Sequence, residues 1–459
     1  MEYVDFEVEI RAPQEGAHPV VVRSPAGEAR GSLRLPLAPL ELENRLQALQ
    51  IALLRSGTTR RRIASGEEQT VQTFGQELFA ALFHDEILSK FDSSRFNAKR
   101  DRKGLRIKLR FESPELAALP WEYLFDAREA DYLSRSIKTP LVRYIELSHP
   151  VDPLRVTPPL RILGLVVSPV DLDPLDVEHE QRRVEEAIGG LVAEGRFELQ
   201  WLRGHTPEAL QRELELSSWH IFHFVGHGGY DANADEGLIV LADERGRSRP
   251  LPASQLASLL GDHDSMRLAV LNSCESARGG AADIFSSTAA AILRRGTPAV
   301  VAMQYEITDI AAINFSRSFY TSIADGLPVD AAVSQARKGI WLAQPASLEW
   351  GTPVLHMHAR DGLLFDLPSV PSPARPAASP GPTAEGAVER RPVAEGATVT
   401  PQGVEAPAPV APIPVAPVVE PVPTPQPVTQ SSGRKFCTQC GLRLFPGNRF
   451  CTGCGRPTG

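Results

Sequence analysis

The chain has 459 residues, 42% hydrophobic and 23% charged, and its 48 Lys and Arg against 56 Asp and Glu leave a formal net charge of −8. That balance argues against wholesale nucleic-acid binding and leaves room only for a local basic patch, while the length suits two or three domains. No run of about 18 apolar residues occurs, and the opening MEYVDFEVEI has neither a basic segment nor an apolar core, so a cytoplasmic protein without a membrane span is expected. Of five Cys, four crowd into the last two dozen residues and only Cys274 lies in the body of the chain, which excludes a disulfide framework there.

Residues 1 to about 155 read as mixed α/β. The alternation of Tyr3 to Ile10 predicts a strand, and the apolar spacing of Glu41 to Arg55 and of Thr73 to Phe83 predicts two helices. The stretch Arg95 to Arg110 holds eight Lys and Arg against one Asp and runs into an alternating strand, Leu105 to Phe111. Its alternating cations are expected on a solvated sheet face rather than against phosphate or lipid. Leu119 to Phe125 and an extended Pro140 to Leu147 complete this part.

From Leu160 strands and helices alternate, the pattern of a mostly parallel sheet with helices on both faces. Strands are expected at Arg161 to Ser168, Phe197 to Leu202, Trp219 to Val225, Leu268 to Asn272, Ala299 to Gln304 and Thr352 to His356. Helices are expected at Val177 to Glu194, Pro207 to Leu216, Ala253 to Leu260, Ser287 to Arg295, Asp309 to Ala324 and Val329 to Ala343, with a hairpin-like Gly237 to Asp243. Residues 369–432 hold 16 of the 40 Pro without apolar periodicity and predict a disordered, semi-rigid tether. Residues 433–459 form a separate tail.

In open parallel sheets, functional groups gather beyond the carboxyl ends of the strands. His227 follows one such strand within Gly226-His-Gly-Gly229, and Cys274 follows the next core strand within Ser273-Cys-Glu-Ser276. A thiolate is a competent nucleophile, and an adjacent imidazole both activates it and protonates a leaving group, the minimum for amide hydrolysis through an acyl-enzyme. The backbone N–H groups of Gly228 and Cys274 are the natural oxyanion donors. No G-x-S-x-G elbow, Walker loop or dinucleotide fingerprint offers another enzyme reading. His223 alternates onto the face of His227 and is expected in the core.

Phe222-His-Phe-Val-Gly-His-Gly-Gly229, Leu271-Asn-Ser-Cys-Glu-Ser-Ala277, Gly296-Thr-Pro-Ala-Val-Val-Ala-Met-Gln304 and the pattern from Phe315 to Arg337 resemble the CHAT domain, a relative of the caspases and separase. The resemblance extends over roughly residues 156–366, with weaker likeness in Lys103 to Arg110 and Leu119 to Leu124. It implies a caspase-like fold, a Cys/His dyad with His227 as general acid/base and Cys274 as nucleophile, and, in bacterial members, work in stress or defence. The caspase signature Gln-Ala-Cys-Arg/Gln-Gly is absent, so a preference for Asp at P1 is not carried over. Asp171, Asp173, Glu275, Asp283, Glu306 and Asp309 lie near the strand ends and suit a basic P1 residue by charge.

The tail carries Cys437, Cys440, Cys451 and Cys454 as two CxxC knuckles separated by ten residues. Four thiolates at that spacing suit one tetrahedral Zn²⁺ with no open position, and the short module resembles a zinc ribbon. The ribbon is locally basic, which leaves nucleic acid open, but it has no stacking aromatic array, so protein docking is favoured. The expected class is therefore α/β: a mixed region associated with the CHAT domain at 1–155, a caspase-like peptidase domain at 156–368, a disordered linker at 369–432 and a zinc ribbon at 433–459. The expected partners are a protein substrate and a docking protein for the ribbon. A catalytically silent scaffold of the same fold is the alternative.

Overall fold

The computed structural model describes residues 1–35, 39–56, 66–148, 151–273, 284–305 and 307–368. All belong to one compact unit, Met1–Arg375. Its strands of four or more residues are β1 (Tyr3–Ile10), β2 (His18–Ser24), β3 (Gly27–Leu33), β4 (Gly104–Phe111), β5 (Leu141–Tyr144), β6 (Leu160–Val166), β7 (Phe197–Trp201), β8 (Ile221–Gly226), β9 (Gly228–Asp231), β10 (Glu236–Ala242), β11 (Ser248–Pro252), β12 (Leu268–Ser273), β13 (Ala299–Met303) and β14 (Pro353–Met357). Its longer helices are α1 (Pro39–Ser56), α2 (Gly66–Leu82), α3 (Asp85–Arg100), α4 (Val177–Ala193), α5 (Pro207–Leu216), α6 (Ala253–Gly261), α7 (Ile284–Arg294), α8 (Asp309–Ala324) and α9 (Val329–Ala343).

Eleven strands form one sheet in the order β7-β6-β8-β12-β13-β14-β5-β4-β1-β2-β3. Two parallel blocks, β7 to β13 and β14 to β1, meet antiparallel where β13 pairs with β14, and the hairpin of β2 and β3 closes one edge. The expected boundary near residue 155 therefore falls inside a continuous sheet rather than between two bodies. The antiparallel junction turns the second block over, so the first residues of β4 and β5 lie at the same sheet edge as the last residues of β8, β12 and β13.

One face of the first block packs against α4, α8 and α9 through residues such as Ile188, Phe319 and Val333, and this core continues into that of β1 to β5 and α1 to α3. The opposite face packs against α5, α6 and α7 through Leu210, Leu256 and Ile292. Strands covered on both faces read as near-continuous apolar runs, as Ile221–Gly226 does. The capping residues are chemically suited to their places: the Asp176 carboxylate accepts from the His179 N–H at the start of α4, and the Thr206 hydroxyl accepts from the Ala209 N–H before Pro207 opens α5.

The basic strand departs from the sequence reading. Arg106 and Lys108 are 3% and 1% exposed, not solvated. In the parallel pairing of β1 with β4, Asp5, Glu7 and Glu9 stand opposite Arg106, Lys108 and Arg110, a ladder of opposite charges. Lys108 Nζ lies 2.7 Å from Asp5, and Arg106 lies 2.7 Å from Asp330 of α9 while donating to the Asp361 carbonyl. The alternation was right for a strand; its polar face is buried because partner charges and the backbone at residues 360 and 361 satisfy it.

Two elements carry weaker sequence signals. The hairpin of β2 and β3 has few apolar residues in Gly27–Leu33, and α3 is polar over much of its length, with Ile87 and Phe91 at i and i+4 facing the core. Arg95 to Arg100 thus belong to a helix, and only the segment from Gly104 is strand. Close packing also constrains the N-terminal helices: a Cβ at Gly75 of α2 would lie 2.0 Å from the Tyr123 carbonyl oxygen.

Candidate active site

Strands β8 and β12 run side by side and parallel, with Gly226 the register partner of Ser273. These residues immediately precede His227 and Cys274 in the chain. The expected base and nucleophile therefore leave neighbouring strands from the same rung. Cys274, together with Glu275, Asp283 and Glu306, lies outside the described residues.

His227 is 5% exposed, and its main-chain carbonyl accepts from the Val240 N–H at 2.8 Å, which ties the turn to β10. Its Nε2 lies 2.9 Å from the main-chain carbonyl oxygen of Asp173. A carbonyl can only accept, so Nε2 carries the proton and, in the neutral ring, Nδ1 holds the free lone pair. Gly228 opens β9 and pairs with Ile239.

The carbonyl that fixes this tautomer belongs to the segment between β6 and α4. Val167 N–H donates to the Val225 carbonyl at 3.0 Å, Leu175 N–H to the Ser168 hydroxyl at 2.8 Å, and Val170 N–H to the Gly246 carbonyl at 2.9 Å. Asp171 accepts from both the backbone N–H and the hydroxyl of Ser248, and these bonds hold its carboxyl below the usual range. Asp176 then caps α4. The loop is pinned at both ends and in its middle, leaving the Asp173 carbonyl a fixed acceptor.

The three described acids differ in what they can offer a ligand. Asp171 is committed to Ser248. Asp309 is committed to α4: it lies 2.7 Å from His179 Nε2 and 3.2 Å from Arg183, and although burial opposes its ionisation, the His179 hydrogen bond and the Arg183 charge hold its carboxyl low. Asp173 is exposed, and its carboxylate has no partner among the described residues.

His223 lies in the core as expected. It is 3% exposed, its Nδ1 is 2.6 Å from the Tyr320 hydroxyl, and burial pushes its imidazole down to about 4. Two features escaped the sequence. The Asp173 carbonyl has no residue-type signature, because any residue could supply it. Asn272, two residues before Cys274, is 7% exposed with its Oδ1 unpartnered among the described residues, and its only sequence signal is an amide at the end of an apolar strand. Among the described residues no helix is long and apolar enough to cross a membrane, and no three His, Cys, Asp or Glu side chains are grouped to hold a metal ion. The four tail cysteines lie outside the described residues, as does the linker.

Comparison with known proteins adds the family. Among solved structures, the chain is similar to separase in the Saccharomyces cerevisiae separase–securin complex, at 15% identity and a TM-score of 0.43, over 78% of this chain and 30% of that one. It is also similar to the Arg-specific cysteine proteinase gingipain R, at 10% identity and a TM-score of 0.39, over 64% of this chain and 74% of that one. The pro- and mature domains of the Porphyromonas gingivalis protein match at 9% identity and a TM-score of 0.37, over 72% of this chain and 78% of theirs. All three likenesses are distant. The chain covers less than a third of the separase chain it matches. No curated protein matches the sequence. The family model described as CHAT domain matches residues 72–369, beginning well inside the segment set apart as an N-terminal region and covering more than half of the chain, and the protein belongs to the CHAT domain family.

Proposed function

We propose that the protein is a cysteine endopeptidase in which Cys274 attacks the scissile carbonyl and His227 moves the proton. The observation that carries this reading is the register of β8 on β12, which pairs the residues preceding His227 and Cys274, combined with the Asp173 carbonyl that leaves His227 Nδ1 as the base. In the first step Nδ1 takes the Cys274 proton and the thiolate adds to the amide carbon. The oxyanion is met by backbone N–H groups, with those of Gly228 and Cys274 as the assigned donors. Collapse breaks the C–N bond as the imidazolium returns its proton to the leaving amine, and water then hydrolyses the thioester with His227 again as base.

The proposed substrate is a partner protein cut after a basic residue. Of the six acids expected near P1, Asp173 has a carboxylate without a partner among the described residues, whereas those of Asp171 and Asp309 are engaged elsewhere. Glu275, Asp283 and Glu306 remain part of the proposal from sequence alone. A role in stress or defence rests on the family resemblance.

The tail is proposed to hold one structural Zn²⁺ through Cys437, Cys440, Cys451 and Cys454, all-thiolate donors at ribbon spacing, and to recruit a protein partner from its tether. Peptide-library cleavage by the wild type and by Cys274→Ala tests the enzyme reading. Loss of all cuts in the variant supports it, and unchanged cuts sink it. The silent-scaffold alternative predicts no dependence on Cys274 and no enhanced reactivity of that thiol.

A further inference from the structure

A concavity opens at the same edge of the sheet, far along it from His227. Its volume is about 700 Å³, and its walls come from α3, the start of β4 and the segment before β5. That size falls within the roughly 300–1,000 Å³ range of ligand pockets. By the strand order, β4 stands four places from β12. At about 4.8 Å per strand this separation is roughly 20 Å.

The charges lining the cleft are unequally spent. Asp92 and Asp126 are held by Arg128 at 2.7 and 2.8 Å, Glu129 by Arg95 at 3.0 Å, Asp131 by Arg135, and Lys103 by Glu2 at 2.9 Å. Lys99, Arg102 and Lys138 are exposed and have no side-chain partner among the described residues. Phe96, on the same wall, is 68% exposed. The cleft thus joins uncommitted cations to an exposed aromatic face. A regularly spaced phosphodiester strand is disfavoured, because the carboxylates of Glu129 and Asp131 stand 59% and 53% exposed on the same walls. An irregular peptide can place its acids against the cations and an apolar side chain against Phe96.

We infer that this cleft is a docking site for an acidic segment of the protein substrate, bearing an apolar or aromatic residue, held apart from the bond to be cut. The inference deepens the peptidase reading and rests on it for the word substrate. An extended chain advances about 3.3 Å per residue, so the acidic segment sits at least about six residues from the scissile bond. Charge complementarity of this kind sets partner choice and encounter rate, and weakens with salt.

The test separates docking from cleavage by using full-length Cys274→Ala protein. Fluorescence anisotropy is measured with a labelled peptide containing four Glu and one Phe, with a neutral Gln counterpart, and with a single-stranded oligonucleotide of equal charge. The expected result is that the acidic peptide binds at least tenfold more tightly than the neutral one. The Lys99→Glu, Arg102→Glu, Lys138→Glu triple variant, all at exposed positions, should weaken it at least tenfold, and Phe96→Ala should weaken it severalfold. Circular dichroism checks that the triple variant is folded, and the single reversals, each expected to weaken binding severalfold, replace it if it is not. Equal binding of the two peptides, or binding untouched by the reversals, overturns the inference. Equal or tighter binding of the oligonucleotide also overturns it, in favour of a general anion surface. Because binding is read without turnover, absent cleavage in the wild type would count against the peptidase reading and not against the cleft.

Discussion

The Nε2 nitrogen of His227 lies 2.9 Å from the carbonyl oxygen of Asp173, 54 positions earlier in the chain. This bond leaves the lone pair of the neutral imidazole at Nδ1, the nitrogen proposed as the base, and it separates two roles proposed for one residue. The Asp173 carbonyl fixes the tautomer of the histidine, while its exposed side chain, without a partner among the described residues, is the one proposed to meet a substrate cation. Asp173→Asn should therefore keep the pH dependence of cleavage but lower the ratio of basic to neutral P1 cuts by about tenfold, or about 1.4 kcal/mol. Asp171→Asn and Asp309→Asn should leave that ratio unchanged. Mass-spectrometric P1 profiles of the three variants check this, and a uniform response would place the specificity elsewhere.

The buried pair Arg106 and Asp330 joins the N-terminal strands to α9, with Asp330 fully buried and Arg106 3% exposed. Removing one partner strands a charge away from water. Asp330→Ala is expected to cost about 3 to 5 kcal/mol in urea unfolding. Arg106→Met together with Asp330→Leu should cost less than Asp330→Ala alone, since neither charge then remains. A double variant at least as unstable as the single one would contradict this account of the pair.

His223 is held neutral in the folded protein, pushed down to about 4 by burial, against about 6.5 when unfolded. Its contribution is complete above about pH 6.5 and is lost as pH falls toward 4, because the unfolded chain takes up the proton first. His220, lowered to about 4, and His356, lowered to about 3, act in the same direction, with burial the leading cause in each. The acid limb should lose up to about 1.4 kcal/mol per pH unit for each such proton. His223→Gln should flatten it by about one proton, as read from urea midpoints between pH 7 and 4. An unchanged slope would mean that His223 protonates inside the fold.

The tail makes a separate prediction. Metal analysis of the full chain should find about one zinc per molecule, and Cys437→Ser with Cys451→Ser should abolish it. Far-ultraviolet circular dichroism of the remaining chain should not change. Full zinc content in that double variant would refute the assignment.

The chain order of strands and helices after Leu160 was legible because strands buried on both faces leave unbroken apolar runs and the crossover helices leave amphipathic ones. The same logic singled out His227, because functional groups gather in the loops after parallel strands, and the structure places it directly after β8. It failed at Arg106 and Lys108, where alternation gave the strand correctly but could not reveal that Asp5, Glu7 and Asp330, distant in sequence, would come to bury the polar face. It also failed at the Asp173 carbonyl and at the commitments of Asp171 and Asp309 to Ser248, His179 and Arg183. Each depends on a contact between segments far apart in the chain, and no local pattern records such contacts. The single sheet uniting residues on both sides of position 155 was hidden for the same reason, because strand pairing across β4, β5 and β14 is a long-range event.

The most direct measurement is digestion of a mixed peptide library by the wild type, Cys274→Ala and His227→Ala, read by mass spectrometry. The account predicts cuts after Arg or Lys in the wild type that disappear in both variants. Cuts that persist in Cys274→Ala would contradict it, since another group would then be performing the attack.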